Sequence, residues 1–221
     1  MTRLKLSSYM PPWLRTASRT PLPDKYRVYA VGDIHGCVRQ LDQLHDLILA
    51  DWQSHCDVQP EGIVVYLGDY IDRGPQSRAV IDCLSAHRDD GLLRIFLKGN
   101  HEDMLERFLD DPEAAADWLE YGGLATLLSY GIYPVDNNRP RNVKQLAQQL
   151  KLIMPQAHHA FYKNLDMSFS VGGYFFCHAG VRPGVSVDRQ TAHDLLWIRN
   201  EFVASESDFG KIVVHGHSPV D

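Results

Sequence analysis

An α/β fold is what this 221-residue sequence predicts, and three observations predict it. Short apolar runs of strand length recur along the chain. Segments with helical hydrophobic spacing lie between them. Each apolar run ends in a cluster of side chains suited to metal or phosphate. Alternation of the two kinds of segment implies strands covered by helices, and ligands of such folds gather at the carboxyl ends of the strands.

The runs come in order. Tyr26–Val31 leads into GDIHG at 32–36, and Ile63–Leu67 into GDYIDRG at 68–74. Leu92–Leu97 leads into KGNHE at 98–102, Tyr174–Cys177 into HAG at 178–180, and Ile212–Val214 into HGH at 215–217. Short apolar runs bounded by turn residues fit strands buried on both faces. Between the runs, Val38–Trp52 places Leu41, Leu44, Ile48 and Trp52 on one helical face, and Ser77–His87 does the same with Val80, Ile81 and Leu84. Met104, Leu105 and Phe108 share a face within Asp103–Leu109. All five clusters are expected to meet at one edge of a sheet, although Asp33 and His217 are far apart in the chain.

The segment from about 112 to 165 reads differently. Ala114–Leu128 and Val143–Met154 have helical patterns split by Tyr-Gly and Asn-Asn-Arg-Pro breaks, which suggests a small helical cap inserted beside the site. Met167–Val171, Gly172-Gly173 and Tyr174–Cys177 then read as a hairpin, because glycine tolerates the positive φ of a two-residue turn. Residues 1–25 carry prolines, Ser/Thr and five Lys/Arg but no apolar core, so they read as an irregular leader rather than a secretory signal.

Composition excludes several classes. The hydrophobic and charged fractions are those of an ordinary globular protein. A net charge of −6 from 28 acidic and 22 basic residues argues against a nucleic-acid partner, which calls for a basic face. No apolar run is long enough to span a membrane. Cys37, Cys56, Cys83 and Cys177 show no CxxC pairing and read as reduced thiols, so a cytoplasmic location is expected. Oligomeric state is not legible.

Asp, His and Asn together, without Cys, suit a divalent metal such as manganese, iron or zinc. Asp33 and His35 lie two apart in what reads as an extended segment, so both can point at one ion. Asp69 is placed to bridge to a second ion, whose shell Asn100, His178 and His217 would complete. Two such ions clamp an in-line displacement at phosphorus and lower the pKa of a water between them. Asp72 is then free to orient His101 as general acid, and Arg73 to grip a phosphoryl oxygen with its planar fork.

The motifs GDIHGC, GDYIDRGPQS, GNHE, HAG and HGHSP resemble the metallophosphoesterase superfamily, and within it the PPP-type serine/threonine protein phosphatases. The resemblance covers residues 26–221 and implies one catalytic domain: a β-sandwich of mixed sheets flanked by helices, with the cap inserted. It assigns Asp33 and His35 to one metal, Asp69 to both, and Asn100, His178 and His217 to the second. It pairs His101 with Asp72 and gives Arg73 and Arg199 to phosphate, the latter through LLWIRNEF. It implies two divalent cations, manganese first with iron or zinc as substitutes. The implied activity is hydrolysis of phosphoserine or phosphothreonine, and of phosphotyrosine as an extension, in a phosphoprotein or phosphopeptide partner. A symmetrical bis(5'-nucleosyl)-tetraphosphatase is the alternative substrate reading. A silent phosphoprotein-binding module is the alternative from another class.

Two departures from the family pattern stand out. Pro219 sits where many relatives have a second ligand histidine, which leaves His215 as a candidate. The sequence ends four residues after His217, where the family continues through further strands, so either the sequence is cut short or its second sheet is abbreviated. Bland readings apply elsewhere. Glu102 is expected to support the site or start the next helix rather than bind metal. His45, His55, His87, His158, His159 and His193 are expected to be surface or satisfied polar groups, with His158-His159 open as a substrate contact. Cys37, Trp118, Tyr121 and Trp197 are expected to pack.

Overall fold

The computed structural model describes residues 21–59, 61–136 and 139–219. Most of the leader expectation therefore lies outside the described residues. Three parallel strands, β1 (Tyr26–Val31), β2 (Glu61–Tyr66) and β3 (Leu92–Phe96), form one sheet in that spatial order. Helices α1 (Val38–Gln53), α2 (Ser77–Ser85) and α3 (Asn100–Asp110) follow the strands. A second sheet holds β6 (Ser168–Val171) and β7 (Tyr174–Cys177), an antiparallel hairpin turning at Gly172 with φ 54°, and β8 (Ile212–Val214) parallel to β7.

Side-chain alternation explains why the β2 run is apolar throughout. Ile63, Val65 and Leu67 point at the second sheet, where they meet Leu97 and Phe176. Val64 and Tyr66 point the other way, into the core under the helices. The same alternation in β7 sends Phe176 to the inter-sheet core and Phe175 and Cys177 to an outer core. That outer core is closed by Leu195 and Ile198 and by Phe202 of the short helix α8 (Asn200–Val203), just after α7 (Ala192–Trp197). The result is four layers: helices, parallel sheet, mixed sheet, helices. A strand buried on both faces has no polar positions to show, so its sequence reads as an unbroken run. The five motifs thus converge from the ends of two facing sheets, not one edge of a single sheet.

The 112–165 segment packs into the main core. Trp118, Leu127, Leu146, Leu150, Met154 and Phe161 belong to the same buried cluster as Leu41, Ile81 and Phe108. Its first pattern is broken: a 3₁₀ turn at Ala116–Leu119 precedes α4 (Gly123–Ser129), because Gly122 takes φ 116° between them. A two-residue ladder, β4 (Val135–Asp136) and β5 (Arg139–Pro140), leads to α5 (Val143–Ile153) and to α6 (Gln156–Lys163), which starts after Pro155. Two side-chain expectations also change. In α1 it is His45, not Leu44, that joins Leu41, Ile48 and Trp52 in the interior, held by the Tyr66 hydroxyl at 2.8 Å. Tyr121 is exposed rather than packed.

Candidate active site

The first two motif loops are zipped together by backbone. The amides of Ile34 and His35 donate to the Asp69 carbonyl at 3.0 and 2.9 Å, and that of Gly36 to the Tyr70 carbonyl at 2.9 Å. Gly68, with φ 99°, lets the second loop lie against Gly99: a Cβ there would meet the Gly99 nitrogen at 2.5 Å. Glu102 fastens the third motif to the second. One of its oxygens accepts the amides of Asp69 and Gly99, and the other accepts that of Tyr70, each at 2.9 Å. Burial and the charge of Asp69 push this carboxyl up to about 8. Glu102 therefore supports the site, as its position at the start of α3 suggested.

Backbone strain marks the same places. Among the described residues, the non-glycine positions with left-handed φ are His35, Asp69, Asp72, Arg73 and His217. All five are candidate site residues. Such positions cost about 1–3 kcal/mol each and persist where the surroundings enforce them, which happens most at functional sites. His35 at φ 44° also replaces the expected extended GDIHG segment with a tight loop.

Asp69 is the hub. Its Oδ2 lies 3.4 Å from His178 Nε2, 3.7 Å from His35 Nε2 and 3.9 Å from His101 Nε2. His178 Nε2 in turn faces Asn100 Oδ1 at 2.9 Å and His217 Nδ1 at 3.1 Å. Two groups of donor atoms result, His35–Asp69–His101 and Asp69–His178–His217, each within 4.8 Å, and they share Asp69. Asp33 stands apart from both groups. It is exposed, and its carboxylate accepts the His217 amide at 3.1 Å, which ties the first motif to the last.

The lone pairs are aimed inward. His35 Nδ1 donates to the Ile71 carbonyl and His178 Nδ1 to the Leu67 carbonyl, both at 2.8 Å. Their Nε2 atoms are thereby left as acceptors. His35 Nε2 and His217 Nε2 are buried without a hydrogen-bond partner. Burial holds the His35 imidazole below its ordinary pKa. Burial, then the charges of His178 and Arg199, take His217 down to about 3. Imidazole nitrogens, a carboxylate and an amide oxygen converging on one point, with two of the buried nitrogens unpartnered, fit a divalent-cation centre.

Beside this centre, His101 Nδ1 donates to Asp72 Oδ2 at 2.7 Å. Burial lowers the His101 pKa, but the Asp72 hydrogen bond and the charges of Asp69, Asp72 and Glu102 outweigh it, and the net direction is upward. Arg73 is exposed and its guanidinium donates to His101 Nε2 at 3.2 Å. Arg199, also exposed, immediately precedes α8 and is close enough for its charge to act on His217. His215 turns away: its ring packs edge-on against Phe202 at 5.0 Å. His158 is buried between Tyr130 and Asp82, so it offers no substrate contact.

Trp118 and Thr126 were not legible as site residues. The indole N–H donates to Asp72 Oδ2 at 2.8 Å and the threonine hydroxyl to Asp72 Oδ1 at 2.6 Å. A buried tryptophan needs an acceptor for its N–H, which is the one signal the sequence held.

Fold and site define a phosphoesterase of the metal-binding kind. The calcineurin-like phosphoesterase profile matches residues 26–221, and the chain belongs to that family. It is 29% identical over 157 residues to bis(5'-nucleosyl)-tetraphosphatase PrpE [asymmetrical] of Bacillus thuringiensis (strain Al Hakam), covering 69% of this chain and 56% of that protein. With the protein of the same name from Geobacillus thermodenitrificans (strain NG80-2), identity is 37% over 79 residues, 35% of this chain and 32% of that one. The matches thus span between a third and just over half of those relatives. A crystal structure provisionally described as a diadenosine tetraphosphatase superposes with a TM-score of 0.56, at 22% identity over 90% of this chain and 78% of that one, which supports the fold. No helix among the described residues is long and apolar enough to cross a membrane.

Proposed function

We propose that this chain hydrolyses a dinucleoside polyphosphate of the diadenosine tetraphosphate kind in a metal-dependent reaction. The observation that carries the hydrolytic part is the convergence of His35, His178 and His217 on a shared Asp69, with the His101–Asp72 dyad alongside. The substrate part rests on the names of the relatives. Those relatives are named asymmetrical hydrolases, so this reading takes unequal products rather than the symmetrical cleavage of the sequence's alternative reading, and it ranks the phosphoprotein phosphatase second.

In this reading Asp69 would serve both cations. His35, with Asp33 reached by a turn of its exposed side chain, would complete one shell; Asn100, His178 and His217 would complete the other. Divalent ions held there would neutralise phosphoryl charge and supply an activated water, and manganese, iron and zinc all suit the donors. Arg73 binds a non-bridging phosphoryl oxygen from its exposed perch, and Arg199 a second one. Once Arg73 turns from His101 to the phosphoryl oxygen, His101 Nε2 is free to take up a proton, and it would give that proton to the departing oxygen while Asp72 holds Nδ1.

A second reading, a phosphoprotein phosphatase, keeps all of this chemistry. The GHSP ending and the DRGP stretch favour it, since both occur in the PPP-type motifs. Diadenosine tetraphosphate and a phosphoserine peptide are to be compared at equal concentration with manganese. The proposal expects faster release from the dinucleotide, as ATP and AMP. Two molecules of ADP would restore the symmetrical alternative, and a preference for the peptide would overturn the substrate assignment.

A further inference from the structure

Asp72 is held by far more than its histidine. It is fully buried, and both of its carboxylate oxygens are engaged: Oδ2 by His101 and Trp118, Oδ1 by Thr126. Its own amide donates to the Thr126 hydroxyl at 3.0 Å and to the Ser77 hydroxyl at 3.1 Å. Thr126 thus grips backbone and carboxylate of one residue at once. The next residue is held as well, because the Arg73 amide donates to the Gly122 carbonyl at 3.3 Å. Asp72 and Arg73 are the two consecutive residues at φ 71° and 63°. Gly122, Trp118 and Thr126 all come from the 112–165 insertion.

A buried indole and a buried hydroxyl need partners in any protein, and satisfaction alone accounts for one bond each. It does not account for their meeting on a single carboxylate, one on each oxygen, at the acid that hydrogen-bonds His101 Nδ1. Nor does it account for the insertion also bracing the strained backbone on which that acid and Arg73 sit. A carboxylate with donors on both oxygens cannot rotate about χ2, so the direction of its bond to Nδ1 is fixed. The imidazole ring, and with it the bearing of Nε2, follows.

We propose that the insertion is part of the catalytic machinery: Trp118 and Thr126 are positioning residues that fix Asp72 and, through it, the proton-donating ring of His101. The inference rests on the reading of His101 as proton donor, and its test separates the two. No covalent step is added; the proton path is from His101 Nε2 to the leaving oxygen, and the ring is re-protonated from solvent.

The test uses the full chain with manganese and a series of aryl phosphates from p-nitrophenyl to phenyl. Proton donation matters little for an acidic leaving group and much for a basic one. His101→Asn sets the reference and is expected to lose most on phenyl phosphate. Thr126→Val and Trp118→Phe are expected to steepen the leaving-group dependence in the same sense, with roughly a 10-fold loss on phenyl phosphate and little change on p-nitrophenyl phosphate. Thr126→Ser, which keeps the hydroxyl, is expected to restore the wild-type profile. A readout without turnover accompanies this: in the metal-free protein the His101 Nδ1 proton gives a downfield resonance slow to exchange with water, and Thr126→Val loses it. A steep His101→Asn profile with Thr126→Val flat, or falling equally on every ester, and with the Nδ1 proton retained, overturns the role of the insertion and leaves the function intact. A flat His101→Asn profile overturns the proton donor itself, and this inference with it.

Discussion

Replacing Gly68 by alanine tests how the motif loops are locked together. The backbone at Gly68 has φ 99°, which costs an L-residue about 1–2 kcal/mol. The added Cβ would lie 2.5 Å from the Gly99 nitrogen, 2.6 Å from its Cα and 2.9 Å from the Lys98 carbonyl carbon. Ordinary contacts between such atoms are about 3.5–4.0 Å, so the loops must part by roughly 1 Å. Every clashing atom is backbone, and none can swing aside. Overpacking of this kind costs about 1–3 kcal/mol more. The sum, about 2–5 kcal/mol, corresponds to a fall in Tm of roughly 5–15 °C for a domain of this size. Asp69 is the next residue and Asn100 follows Gly99, so the same parting would spread the donor atoms around His178. Thermal unfolding followed by circular dichroism in EDTA reads the first effect, and manganese titration by calorimetry reads the second. A melting temperature within about 1 °C of wild type, with unaltered manganese affinity, would refute the account of how the second and third motifs are joined.

Other substitutions probe different joints. Glu102→Gln puts an amide NH₂ against at least one of the three buried backbone amides that the carboxylate now satisfies, at a cost of about 1–3 kcal/mol. Urea unfolding above pH 8, where the carboxyl is ionised, reads this cost, and an unshifted midpoint would contradict it. His45 supplies a pH dependence away from the metal site. Burial, followed by the charges of Arg88 and Arg94, lowers its pKa from 6.5 to about 4, so the unfolded chain takes up a proton in that window that the folded chain does not. Stability should therefore fall as pH drops from 6.5 to 4, by up to about 3 kcal/mol from this group, and His45→Gln should flatten the fall. An identical slope in the variant would sink that assignment.

Strands were the most legible part of the sequence. Tyr26–Val31, Tyr174–Cys177 and Ile212–Val214 stand where the apolar runs end, because turn residues and chemistry begin at once. That they form two sheets was hidden, since a strand with both faces buried looks the same whether a helix or a second sheet covers it. In α1 the period was right but one member was wrong: His45 is interior because Tyr66 supplies a partner, and periodicity carries no record of a partner on another element. The helix expected across 114–128 breaks at Gly122 because its carbonyl is needed by Arg73, a tertiary demand that local propensity does not contain.

The site followed the same rule. His35, Asn100, His101, His178 and His217 come together around Asp69, with Asp72 and Arg73 on His101, while Asp33 remains at the rim holding the His217 amide. Their chemistry was visible in residue type and order. What was not visible is how they are held: the Glu102 clasp on three amides, the left-handed backbone at five candidate positions, and the Trp118 and Thr126 side chains on Asp72. Each of these is a contact between segments distant in the chain.

The most direct measurement is anomalous diffraction at the manganese edge, on crystals soaked with manganese and inorganic phosphate. Two peaks on either side of the Asp69 carboxylate are expected, one toward His35 and one toward Asn100, His178 and His217, with Arg73 on a phosphate oxygen. A single peak, or none touching Asp69, would contradict the account.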